Sequence, residues 1–103
     1  MPRRTPKTPD ERSEHRRAFI QAVEAGGMPT GEAVREARLA LDFTQATFAQ
    51  TFGLTRRQVA EIESGAANPT AATLNRIAKP FGMTLGFVCQ DPSRRGSGTR
   101  RDE

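Results

Sequence analysis

Residues 55–64 read Thr-Arg-Arg-Gln-Val-Ala-Glu-Ile-Glu-Ser. Val59 and Ile62 are three apart, so a helix here turns both to one side and leaves Arg56, Arg57, Ala60 and Glu61 on the other. The chemistry open to that outer face is planar hydrogen bonding. A guanidinium offers two parallel N–H groups to guanine O6 and N7, and a carboxylate accepts from the cytosine amino group. Such a helix fits the major groove of double-stranded DNA, with its first turns against base edges. The plainer alternative is that Arg57 and Glu61, four apart, satisfy each other along the helix for roughly a few tenths of a kcal/mol.

A base-reading helix needs elements that hold it outward. Thr55 with Gln58 three residues on is a capping box, and Gly65 is the stop. Upstream, Thr44 caps a short helix, Gln45–Thr51, and Phe52-Gly53-Leu54-Thr55 joins the two, with Gly53 supplying the positive φ of a tight turn. Phe48, Ala49, Leu54, Val59 and Ile62 are expected to share one core, with Ala49 small where the helices cross. Thr30 is the cap candidate for a helix over Glu32–Asp42, carrying Val34, Ala37 and Leu41 at helical spacing. Thr70 caps a last helix, Ala71–Lys79, with Leu74, Ile77 and Ala78 inward and Pro80 at its end. The spacing of Phe43, Phe48, Phe52, Phe81 and Phe87 makes them core residues rather than a stacking platform for bases.

Thr8-Pro9-Asp10-Glu11 starts an N-terminal helix that runs to about Ala25 and stops at Gly26-Gly27. Its apolar face, Phe19, Ile20 and Val23, is too thin to stand alone, so it packs on its own domain or a dimer mate, a toxin-binding surface being the alternative. His15, among charged neighbours, reads as a solvated helix residue. After Gly82, Met83-Thr84-Leu85-Gly86-Phe87-Val88 alternates apolar with small or polar residues, the period of a strand. A lone strand leaves its backbone groups open, so pairing with the same strand of a second copy is the economical solution; an irregular tail packing Leu85 and Phe87 on the helices is the other.

The balance of charge says where polyanion affinity must come from. The chain of 103 residues has a net charge of +4 and only 35% hydrophobic residues, one domain's worth of core. Residues 31–90 are nearly balanced, six Lys/Arg against five acids, so affinity depends on where those arginines sit. Paired arginines at 3–4, 16–17, 94–95 and 100–101 belong either to solvated tails or to arms that touch phosphates with a steep salt dependence. The apolar runs fall far short of the roughly 20 residues needed to span a bilayer, and no secretory leader is expected. With a single cysteine, Cys89, and a single histidine, neither a disulfide nor a metal site is expected, and the compartment is a reducing cytoplasm.

Leu41, Thr44-Gln45, Phe48-Ala49, Gly53, Thr55, Val59, Ile62-Glu63, Gly65, Asn68-Pro69-Thr70 and Leu74…Ile77-Ala78 together resemble the Xre/Cro helix-turn-helix family, which includes lambdoid phage repressors and HipB-type antitoxins. The resemblance covers about residues 32–83, and residues 79–88 look like the helix end and strand of HipB-like members. It implies a compact bundle of about five helices that binds DNA as a dimer. It also implies phosphate contacts at Thr44, Gln45, Thr55 and Ser64, base reading at Arg56, Arg57 and Glu61 beside Gln58, and a structural ion pair between Arg38 and Glu63. Two departures stand out. Ala66-Ala67 occupies a loop where relatives often carry a phosphate-binding lysine, and Pro80 replaces a residue that continues the last helix.

The sequence therefore predicts an all-α, five-helix Xre/Cro (phage-repressor-like) DNA-binding domain with an extra N-terminal helix and a short C-terminal β-strand paired in a dimer. The divisions are a disordered basic arm (1–8), the N-terminal helix (9–27), the helix-turn-helix domain (30–82), a dimerisation strand carrying Met83, Leu85 and Phe87 (83–89) and a disordered basic tail (90–103). The expected function is a homodimeric, cytoplasmic, nucleoid-associated prokaryotic repressor on a palindromic operator. The alternatives are an antitoxin that also neutralises a partner toxin, and a protein-interaction adaptor that does not read DNA. No nucleophile–base set or glycine-rich phosphate loop suggests an enzyme, and no cofactor is implied.

Overall fold

The computed structural model describes residues 6–87. Within them the chain forms five α-helices: α1 (Pro9–Ala25), α2 (Thr30–Ala40), α3 (Gln45–Phe52), α4 (Arg56–Ser64) and α5 (Ala71–Ala78), followed by a 3-10 turn over Lys79–Phe81. Threonine starts four of them. Thr8, Thr44, Thr55 and Thr70 each stay extended and accept a hydrogen bond from the backbone N–H three residues on, satisfying a donor that the helix itself cannot. The exception is α2, where Thr30 is already helical and Pro29 takes the cap position without a side-chain bond. α3 and α4 end on left-handed glycines, Gly53 at φ 72° and Gly65 at φ 86°, so the chain can reverse at no steric cost.

Phe48, Val34 and Val59 are the largest fully buried side chains and mark the centre of the core, where α2, α3 and α4 meet. Phe48 and Phe52 pack with ring centroids 4.6 Å apart and planes tilted by 52° on the inner face of α3, and Ala49 is buried beside them. α1 runs back along α2 and covers the open side of this unit. Its Phe19 ring meets Phe81 edge-on at 4.9 Å, while the Arg16 guanidinium lies 5.5 Å from the centre of the same ring. Phe19 is buried and Ile20 and Val23 pack against the core, so the apolar face of α1 is used inside its own domain.

Charged and polar contacts fix the helix ends. Lys7 Nζ donates to the Leu39 carbonyl at the end of α2 (2.9 Å), and Lys7 N–H donates to Asp42 Oδ2 (3.0 Å). Lys7 is thus tied down rather than part of a free arm; residues 1–5 lie outside the described residues. Arg76 of α5 donates to the Phe52 carbonyl at the end of α3 (3.1 Å). His15 is half-buried and bonds Glu36 across α1 and α2 at 3.2 Å, so it is not simply solvated.

Several expectations need correction. The N-terminal helix is one of the five α-helices among the described residues, not an addition to five. The last helix stops at Ala78 because Pro80 lacks the N–H that a further α-helical bond needs, and Lys79–Phe81 tighten into the 3-10 turn instead. Residues 83–87 form no strand within the single chain: a ladder needs a second segment, and here Leu85 N–H instead donates to Asn75 Oδ1 (2.8 Å). Phe87 is not core but fully exposed, and Leu85 is 46% exposed. The remainder of the expected strand, 88–89, and the tail 90–103 lie outside the described residues.

Candidate nucleic-acid interface

α3 and α4 meet through a three-residue turn, Gly53-Leu54-Thr55, in which Leu54 N–H bonds the Ala49 carbonyl at 2.8 Å. Thr55 and Gln58 then close a full capping box, with Gln58 N–H to Thr55 Oγ1 at 3.0 Å and Thr55 N–H to Gln58 Oε1 at 2.8 Å. Val59 and Ile62 bury the inner face of α4, while Arg56, Arg57, Gln58 and Ser64 remain exposed on the outside. Beyond Gly65 the chain folds back, and Ala66 and Ala67 both donate to the Glu61 carbonyl (2.9 and 3.1 Å).

The far end of α4 is anchored by a buried ion pair. Arg38 of α2 meets Glu63 through two parallel bonds, Nε to Oε2 at 2.7 Å and Nη2 to Oε1 at 3.1 Å, and its Nη1 donates to the Phe43 carbonyl at 3.0 Å. Gln45 adds a bond to Glu63 Oε1 at 3.3 Å. The two charged side chains are only 12% and 7% exposed, so each relies on the other for solvation. One cluster therefore joins α2, the loop before α3, the start of α3 and the end of α4. Close to it, Gly31 in the first turn of α2 lies directly against α4: a Cβ there would stand 2.6 Å from the Ile62 carbonyl oxygen and 3.0 Å from that of Glu63. Only glycine permits this approach.

The electrostatics of α4 run against its own dipole. The N-terminal end of a helix is positive, which favours acids there and bases at the other end. α4 has Arg56 and Arg57 in its first turn and no acid there, and no base in its last turn. Even the capping box uses the neutral Gln58 where α1 uses Glu11. The exposed end of α4 thus concentrates positive potential from the helix and from two guanidinium groups, an arrangement suited to a polyanion. Arg57 also bonds Glu61 on the same face, Nε to Oε2 at 3.2 Å.

The remaining expected site residues are placed as follows. Thr44 is exposed, and its hydroxyl caps α3 and bonds Thr47. Gln45 is half-buried with its amide drawn towards Glu63. Ser64 Oγ donates to the Glu61 carbonyl and accepts weakly from Ala66 N–H at 3.4 Å. Thr55, Arg56, Arg57, Gln58 and Ser64 lie together along the exposed side of α4, whereas Met83, Leu85 and Phe87 follow the 3-10 turn beside α5. Sequence reasoning missed Gly31, Lys7 and Arg76, whose roles exist only once the helices are packed.

Two short helices joined by a tight turn, the second presenting a solvated basic face, define a helix-turn-helix unit. The Helix-turn-helix family model matches residues 34–88, more than half of the chain, and the chain belongs to this Xre/Cro-type helix-turn-helix family. Neither a curated protein nor a solved structure matches it. The family is one of DNA-binding transcription regulators. No helix among the described residues is long and apolar enough to cross a membrane.

Proposed function

We propose that the chain is a sequence-specific transcriptional repressor that binds a palindromic operator as a homodimer, with α4 in the major groove. The observation that carries this reading is the first turn of α4. Its two exposed arginines stand at the positive end of a helix whose inner face and far end are rigidly held. The first turn of α4 meets base edges through Arg57, while Arg56, Thr44, Gln45, Thr55 and Ser64 lie towards the phosphates that set register. Gln58 holds the cap without bringing negative charge to the DNA.

The dimer is proposed to form through residues 83–89. Its support is an apolar groove between α1, α2 and α5, lined by Phe19, Leu74, Ile77, Met83 and Leu85, together with the fully exposed Phe87 two residues further along the chain. A two-fold partner covers groove and exposed side chains together, since each copy offers both halves of the contact. Half-sites then lie roughly 34–36 Å apart, one turn of DNA.

The test is selection of duplexes from a random pool, followed by competition between the selected site and scrambled DNA. Arg57→Ala is expected to reduce the preference for the selected site by about 1–3 kcal/mol. An equal loss on both DNAs makes Arg57 a phosphate contact, and failure of the intact protein to enrich any sequence overturns the reading. Sedimentation of Phe87→Ser tests the dimer, which is expected to dissociate; an unchanged dimer rules out this interface.

A further inference from the structure

The two arginines at the head of α4 are not equivalent. Arg57 is held by Glu61 at 3.2 Å, whereas Arg56 makes no side-chain hydrogen bond or ion pair among the described residues. We propose that Glu61 is a positioning residue that aims the Arg57 guanidinium at a guanine, and that it does not itself read a base. This rests on α4 binding DNA as set out above.

Three observations carry it. The first is which atom is engaged. Glu61 Oε2 takes the Nε–H of Arg57, which leaves both terminal amino groups of the fork for a ligand. Those are groups that can form two parallel bonds to guanine O6 and N7. The second is exposure: the Arg57 side chain is 87% accessible despite the bond, so the contact restricts the side chain without covering it. The third is that helix stability gives little reason for the pair. An acid preceding its base by four residues is the favourable order, and here the base comes first, at the end of the helix where the dipole opposes it.

A free arginine surrenders much rotamer freedom when it docks on a base, and a guanidinium already held at Nε surrenders less. The carboxylate also offsets the charge of Arg57, so this arginine adds little to unspecific attraction. Arg56, with no partner on the helix, supplies that attraction through the phosphates. One arginine is thus committed to sequence and its neighbour to affinity.

The experiment uses the full chain, the duplex it selects, and the three duplexes with every other base pair at the position where Arg57→Ala loses discrimination. Glu61→Ala is expected to lower the preference for G·C at that same position roughly three- to tenfold, part of what a bidentate arginine–guanine pair contributes. Affinity for scrambled DNA should hold or rise, and Arg57→Ala/Glu61→Ala should match Arg57→Ala alone. Glu61→Gln, which keeps an acceptor for Nε–H, should recover part of the preference. Circular dichroism melting of each variant checks that the fold persists. A changed preference at a different base pair would make Glu61 a direct reader, and no change at any position would make the pair a solvated contact; either overturns the proposal while leaving DNA reading by α4 intact. If the unaltered protein selects no sequence at all, the broader reading fails first.

Discussion

α1 and α4 begin with the same device and then part company. Each opens on a threonine capping box, Thr8 with Glu11 and Thr55 with Gln58. α1 follows its cap with Asp10 and Glu11, as the helix dipole favours; α4 follows its cap with Arg56 and Arg57, as the dipole disfavours. α1 spends its apolar residues on Phe81 and the core, and its opening turn serves stability. α4 is fixed from behind by Val59, Ile62 and the Arg38–Glu63 pair, and that support lets its front be arranged for a ligand. Where charge placement costs the helix free energy, the reason lies outside the helix.

The largest effect is expected at the support of α4. Arg38→Ala leaves Glu63 buried without its partner and should lower unfolding free energy by about 3–5 kcal/mol in urea titrations. Replacing both residues by apolar ones of similar size should recover most of the loss. If Arg38→Ala costs less than about 1 kcal/mol, α4 is held by its apolar face alone.

Next come the two caps. Thr8→Ala and Thr55→Ala should each cost about 1 kcal/mol of stability, but only Thr55→Ala should also weaken DNA binding in an anisotropy titration. Equal binding losses would end the division of labour between α1 and α4.

Smaller still, and of opposite sign, is Arg56→Glu. By matching the dipole it should raise stability by about 0.3–1 kcal/mol, while binding to every DNA falls. A lower melting temperature for this variant would mean that Arg56 stabilises the fold after all. Gln58→Glu should give the smallest gain, roughly a few tenths of a kcal/mol, with a modest loss of affinity across sequences.

How much of this was legible in the sequence follows from the range of the forces involved. The caps at Thr8, Thr44, Thr55 and Thr70 and the stops at Gly53 and Gly65 depend on residues three or four apart, so pattern alone located α1, α3 and α4 closely. The outward face of α4 followed from Val59 and Ile62. What failed was non-local. Nothing near Gly31 in sequence says that the carbonyls of Ile62 and Glu63 will come against it. Nothing around Lys7 or His15 announces Leu39 or Glu36: sequence alone puts the first in a disordered arm and makes the second a solvated residue. Phe87 is exposed although the spacing of the phenylalanines points to core, because spacing records which residues are apolar, not whether a second surface exists to cover them. Within the candidate site, the type and order of the residues are readable, and so is the pairing of Arg57 with Glu61 four residues on; that the bond engages Nε and leaves the Arg57 side chain exposed is not.

The brevity of α3, α4 and α5, eight or nine residues each, has a consequence for how such a protein is used. Isolated helices below about 12–15 residues barely persist in water, so the reading surface exists only while the neighbouring segments are assembled around it. Unfolding and loss of DNA binding then become a single event, and bound DNA would shield the chain from proteases by drawing population away from the open form. Gene control and protein lifetime would respond together to the same small change in temperature or sequence.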